Sequence, residues 1–231
     1  MKKWKSRMVL GIIAITMALG LALSPGLVKA DPSTLQDLIN LGSTGWQIDD
    51  KLFYNFLYTP AGVAPTAGSI AFTQITDPGN PGLKFVAAWH VSAGENLDSN
   101  ITYYVKVLPG GSPIHDVFAL IAGAGFVGNG SVTLAENVFN EDKTQTIVNN
   151  LYLFNNSGGS HLSEEVLIDP NMGPLFVVKD IILTAGVGGD ASLSYVENTY
   201  SEKVPEPMSL ILLGSGLAGV GLYRRLRKPK G

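Results

Sequence analysis

Residues 101–108 read ITYYVKVL, and their alternation decides the fold class. In an extended chain Ile101, Tyr103, Val105 and Val107 share one face, while Thr102, Tyr104 and Lys106 share the other. A strand sends successive side chains to opposite sides, whereas a helix would scatter these residues around its axis. Comparable β-branched and aromatic runs lie on both sides: LKFVAAWHV (83–91), SVTLAENVF (131–139), TIVNNLYLF (146–154), PLFVVKDIIL (174–183) and ASLSYVENTY (191–200). Clusters rich in Gly, Pro, Asn and Asp separate them, among them DPGNPG (77–82), LPGGSP (108–113) and NNSGGS (155–160).

This pattern predicts about ten short strands, all-β, in an antiparallel two-sheet β-sandwich, with jelly-roll-like and immunoglobulin-like arrangements both open. Phe53, Phe56, Phe85, Val105, Phe118, Leu134, Val148, Phe176 and Ile182 are the expected inward side chains. Ser33–Asn40 starts with a capping residue and spaces Leu35, Leu38 and Ile39 as a short helix would. The Gly-rich run 121–130 has neither a following helical pattern nor a phosphate-binding Lys, so it reads as a bulged strand or hairpin.

Both ends carry a different grammar. Lys2, Lys3, Lys5 and Arg7 precede the apolar run 8–23, and Val28-Lys29-Ala30 supplies small residues before Asp31. That is a secretory signal peptide over 1–30, which implies passage through the Sec translocon and removal by signal peptidase. At the other end Val204-Pro205-Glu206-Pro207 leads into an uncharged run, 208–223, and then into Arg224, Arg225, Arg227 and Lys228. Each proline fixes φ and pushes its predecessor towards extended geometry, so the VPEP stretch is expected to be extended. Sixteen helical residues rise about 24 Å, short of the roughly 30 Å hydrocarbon core, and snorkelling arginines would close the gap. The basic tip stays cytoplasmic and acts as a membrane stop.

Removing both ends leaves one domain over 31–203, without cysteine. Six lysines there face eighteen acids, a balance near −12 with no arginine. Such a body repels phosphate backbones, which argues against nucleic acid as a partner.

Together the VPEP tetrad, the small Ser209, the Gly-studded run and the Arg-rich end resemble the PEP-CTERM sorting signal of exported bacterial proteins. The resemblance covers only 204–231, with the motif at 204–207, the transmembrane helix at 208–223 and the basic tail at 224–231. It implies an exosortase as processing partner and transient anchorage in the inner membrane. It also implies a final place on the cell surface, the outer membrane or the extracellular matrix of a Gram-negative bacterium that makes exopolysaccharide.

The body declares no chemistry. His90 lies in a strand-like run and reads as a half-buried structural histidine; Ser112, His115 and Asp116 form a catalytic trio only on paper, without a nucleophile elbow. No zinc spacing is present, so catalytic and cofactor-binding residues are expected to be none and the protein to be no enzyme. The acidic pairs Asp49-Asp50, Glu141-Asp142 and Glu164-Glu165 read first as solvated loop charges and second as Ca²⁺ ligands. Trp46 and Trp89, with Tyr54, Tyr58, Tyr103, Tyr104, Tyr195 and Tyr200, raise carbohydrate stacking as the alternative to core packing. The expected function is a non-enzymatic surface or biofilm-matrix protein, with a carbohydrate-binding module as the alternative and a secreted hydrolase third.

Overall fold

A computed structural model describes residues 30–170 and 172–202. The signal peptide expected over 1–30 falls almost wholly outside the described residues, and the sorting segment 204–231 falls entirely outside them. The compact unit begins at Pro32. Among the described residues no helix is long and apolar enough to cross a membrane.

Helix α1 (Leu35–Leu41) forms where the spacing placed it. Thr34 caps it: its hydroxyl accepts from the Asp37 amide, and the Asp37 carboxylate accepts from the Thr34 amide at 3.0 Å. Leu35 and Leu38 are buried, fastening the helix to the domain.

Thirteen strands follow among the described residues. They are β1 (Trp46–Ile48), β2 (Lys51–Gly62), β3 (Ala71–Asp77), β4 (Asn80–Val91), β5 (Asn96–Val107), β6 (Asp116–Ala122) and β7 (Gly125–Val127). Then come β8 (Ser131–Asn140), β9 (Thr146–Asn156), β10 (Gly159–His161), β11 (Ser163–Leu167), β12 (Leu175–Thr184) and β13 (Asp190–Thr199). One sheet runs β1-β2-β5-β12-β8-β9-β10 and the other β11-β6-β13-β4-β3, with β7 also on β13. Every pairing is antiparallel.

The pairing order resolves the topology as a jelly roll. β4 pairs β13, β5 pairs β12, β6 pairs β11 and β8 pairs β9. That is one long hairpin, turning between β8 and β9, wound so that successive rungs alternate between the sheets. Wrapping buries Phe53, Phe85, Val105, Leu134, Val177, Ile181 and Val196 between the layers.

Phe53 and Phe56 both face this core although three residues apart, which strict alternation forbids. A β-bulge reconciles them. Asn55 sits at φ +54°, Tyr54 pairs Tyr104 and Leu57 pairs Thr102, so two residues oppose Tyr103. The bulge turns Phe56 inward onto the Tyr103 ring, 5.1 Å away.

Three expected core residues face outward instead: Phe118, Phe176 and Ile182 are only half-buried. On β12 the cause is Lys179. A lysine ordinarily faces water, yet this one is fully buried, so Leu175, Val177, Ile181 and Leu183 share its inward face and Phe176 and Ile182 take the other. Lys179 pairs with the buried Glu136 of β8, and Asn198 Nδ2 of the opposite sheet donates to both Glu136 oxygens at 2.7 and 2.9 Å. Burial and the Glu136 charge push the neighbouring Tyr103 hydroxyl well above its usual range. Burial first, then the Tyr103 and Glu136 charges, does the same for Tyr200, and the two hydroxyls meet at 2.6 Å.

Candidate functional site: an aromatic strip on the outer face

The antiparallel registers lay out the outer face of the seven-stranded sheet in rows. Tyr54 stands opposite Tyr104, Tyr104 opposite Phe176, and Phe176 opposite Phe139. Four aromatic rings from β2, β5, β12 and β8 therefore form one strip perpendicular to the strands. Tyr54 and Tyr104 stack at 5.3 Å and 25°, Tyr104 and Phe176 tilt at 4.8 Å, and Phe176 and Phe139 tilt at 6.3 Å. Cross-strand aromatic pairs of this kind stabilise a sheet while leaving ring surface towards solvent.

Two of the six lysines of the body lie over this strip. Lys106 Nζ is 5.2 Å from the Tyr54 ring centre, and Lys143 Nζ is 3.9 Å from Phe176 and 5.8 Å from Tyr104. Lys143 is held there by the β8–β9 turn, where it adopts φ +62° and its amide donates to the Asn140 carbonyl at 3.0 Å. Within the same turn Thr144 Oγ1 donates to Asp142 Oδ1 at 2.6 Å, and the Gln145 amide donates to Asn140 Oδ1 at 2.9 Å. The Thr144 bonds hold the Asp142 carboxyl below its usual range. Burial, then the Glu141 charge, raises the Tyr54 hydroxyl, so it stays a neutral donor and acceptor. Beside the strip a groove of about 380 Å³ is lined by Asn140, Glu141, Asp142, Gly173 and Pro174. A second aromatic group, Tyr152, Phe154 and His161, stands farther along the face with ring spacings of 5.7 and 6.4 Å.

The two tryptophans named as stacking candidates lie elsewhere. Trp89 is a core residue, 1% exposed, with its indole N–H donating to Ser99 Oγ at 3.1 Å; it has no face to offer a ligand. Trp46 is half-buried and donates to Gln74 Oε1 at 3.2 Å. Tyr103 and Tyr200 are fully buried, whereas Tyr54 and Tyr104 stand in the strip. Phe139 and Phe176 were missed because ring pairing depends on which strands become neighbours.

His90 is exposed rather than half-buried, because Trp89 takes the inward place on β4. Ser112 and Asp116 are engaged separately. The Ser112 amide donates to Asp50 Oδ2 at 2.6 Å, and Asp116 accepts from Ser201 Oγ.

Among the described residues, Asp49, Asp50 and Glu202 could place carboxylate oxygens within 4.8 Å of one another. The Lys51 ammonium already sits between two of them. It is ion-paired with Asp50, lies 2.6 Å from Glu202 Oε1 and donates to the Ser112 carbonyl at 3.0 Å. Burial raises the Asp50 carboxyl, but hydrogen bonds involving Lys51, Glu202 and Ser112 outweigh it and hold it low. A divalent cation would have to displace the lysine, so this group works as an ion-pair clasp. Of the other acidic pairs, Glu164 lies 3.7 Å from His161 and accepts from the Tyr152 amide at 3.3 Å. On the outer face Asp98 and Asp180 adjoin one another. Burial, then the hydrogen bond and charge of Asp180, pushes Asp98 up to about 6.

Residues 203–228 match the family model of the PEP-CTERM protein-sorting motif, so the chain carries the label of an exosortase substrate and is an exported, sorted protein. No curated protein matches the chain. Of the solved structures it is similar to, one is the enzymatically active domain of bacteriophage CBA120 tailspike protein 4, at 9% identity and TM-score 0.27 over 61% of this chain; this chain spans 19% of that one. A second is a carbohydrate-binding module in complex with β-1,4-galactotriose, at 8% identity and TM-score 0.30 over 62% of this chain and 88% of that one. A third is a carbohydrate-binding module described for specific mannan recognition, at 9% identity and TM-score 0.32 over 74% and 96%.

Proposed function

We propose that this is an exported, non-enzymatic cell-surface protein, anchored briefly in the inner membrane, cut by an exosortase, and retained in an exopolysaccharide or biofilm matrix through its aromatic strip. The matched sorting motif supports the route. The observation that carries the binding role is the Tyr54–Tyr104–Phe176–Phe139 row on a solvent-facing sheet. Pyranose rings present polarised C–H bonds that are attracted to the negative face of an aromatic ring. Rings spaced 4.8–6.3 Å apart offer a repeat comparable with that of linked sugar units. Lys106 and Lys143 supply donors over the Tyr54 and Phe176 rings, and a polymer laid across the sheet would meet Thr102 and Asn137 in the next row. The groove at Asn140–Asp142 gives such a chain an end wall.

Affinity electrophoresis through gels cast with polysaccharides tests the reading, using the host's own exopolysaccharide and a panel of neutral and uronate polymers. At least one polymer should retard the wild-type chain. Phe176→Ala and Tyr104→Ala should migrate freely while keeping the wild-type melting temperature within a few degrees, and Trp46→Ala should remain retarded. Equal retardation of wild type and both strip variants would remove the strip from the account.

A further inference from the structure

Lys179, Glu136 and Asn198 form a buried triad that ion pairing alone does not account for. Lys179 and Glu136 are 0% exposed and Asn198 is 1% exposed. A buried ion pair returns little net stability, because desolvating both charges offsets their attraction. This one is also shared between the two sheets. Lys179 and Glu136 stand opposite one another on β12 and β8, and Asn198 reaches them from β13 of the facing sheet.

The contacts place a base and acid between an amine and an amide. Lys179 Nζ donates to Glu136 Oε2, and Asn198 Nδ2 donates to Oε1 and Oε2 at 2.7 and 2.9 Å. The amine and the carboxamide therefore share one carboxylate oxygen. Nδ2 also reaches the Phe118 carbonyl at 3.3 Å, which holds the carboxamide in place. An amine becomes a nucleophile when a neighbouring base takes its proton, and an amide nitrogen leaves when an acid supplies one. Glu136 touches both nitrogens, so one carboxyl can serve both steps. Phe53, Tyr103 and Tyr200 pack together at 0% exposure, with both tyrosine hydroxyls under the Glu136 charge. Bulk water is thus kept from competing with the amine.

We infer that Lys179 and Asn198 join in an intramolecular isopeptide bond. Glu136 takes a proton from the Lys179 ammonium, and Nζ adds to Asn198 Cγ. The Cγ–Nδ2 bond breaks as Glu136 returns that proton to the leaving nitrogen, and the second proton that Nζ sheds departs with it as ammonium. One C–N bond replaces another, Glu136 ends as the carboxylate it began as, and nothing is oxidised or reduced. The bond ties β12 to β13, and so one sheet to the other, in a chain with no cysteine to do so. Asn198 is the penultimate residue of β13, so a pull from the C-terminal side meets the bond before it peels the strand away. The ion-pair energetics hold for chains that have not reacted.

Lysine-specific digestion of the full-length, urea-denatured chain reads the bond, because an acylated Lys179 is no longer cut. Unlinked chain yields separate peptides 144–179 and 180–203. Linked chain should yield one peptide, 144–203, lighter than its sequence by one ammonia and giving no fragment ions from inside 179–198. Glu136→Gln keeps the shape of the side chain without its basicity. It and Asn198→Ala should both yield the two separate peptides at full sequence mass. Complete cleavage of the wild type after Lys179, with both peptides at full mass, overturns the inference whether or not the variants fold. Linkage that persists in Glu136→Gln overturns the role given to Glu136.

Discussion

Replacing Lys179 with methionine should cost far more than replacing Lys179 and Glu136 together. Both side chains are fully buried, one on β12 and one on β8, and Asn198 reaches across from the other sheet to the same carboxylate. With Lys179→Met, Glu136 keeps one amide as donor and no countercharge; removing one partner of a buried pair costs about 3–5 kcal/mol. Glu136→Leu strands the ammonium instead and costs a similar amount. The double variant buries no charge and leaves the Asn198 amide short of an acceptor, a loss of about 1–3 kcal/mol. Urea unfolding followed by tryptophan fluorescence reads this directly. With a slope of about 2 kcal/mol per molar, each single variant should lower the midpoint by about 2 M, and the double variant by about 1 M. Independent effects would place the double variant at the sum of the singles. Such additivity, or a single-variant cost below about 1 kcal/mol, would refute the argument that this network is a buried, mutually dependent unit.

Two other consequences are accessible to the same unfolding assays. Asp98 has a folded-state pKa of about 6 against an ordinary 3.8, so the folded state binds the extra proton; its stabilising contribution is complete below about pH 4 and is lost as pH rises through 6. Thermal midpoints should therefore fall between pH 4 and 6.5 in the wild type, with the slope reduced in Asp98→Asn and Asp180→Asn; an unchanged slope in both would contradict the shared-proton pair. Trp89→Ala should cost about 3–5 kcal/mol as a core cavity, whereas Trp46→Ala, half-buried at a short edge strand, should cost much less; comparable losses would count against the burial assignment.

Local pattern was enough for the elements but not for their partners. The alternation of 101–108 and the Gly-rich turns are properties of neighbouring residues, and each reappears in the structure; the short helix does too, although its cap is Thr34, one residue past the Ser33 that the sequence offered. The choice between jelly-roll and immunoglobulin-like order was not legible, because β4–β13 and β5–β12 pair residues a hundred or eighty positions apart. Alternation also fails wherever a polar residue turns inward. Lys179 inverted the reading of a whole strand, and Phe176 went from expected core residue to centre of the candidate site. Tyr104 was visible as the outward partner of Tyr103, but the strip exists only once four strands are laid side by side in register.

The route is tested most directly by the intact mass of the mature protein from an exosortase-bearing host. Export and sorting together predict a chain that begins at or near Asp31 and ends within the motif that follows Glu202, with the body from Pro32 to Glu202 complete. A mass that still includes Arg224–Gly231 would contradict processing and leave a permanent anchor in its place.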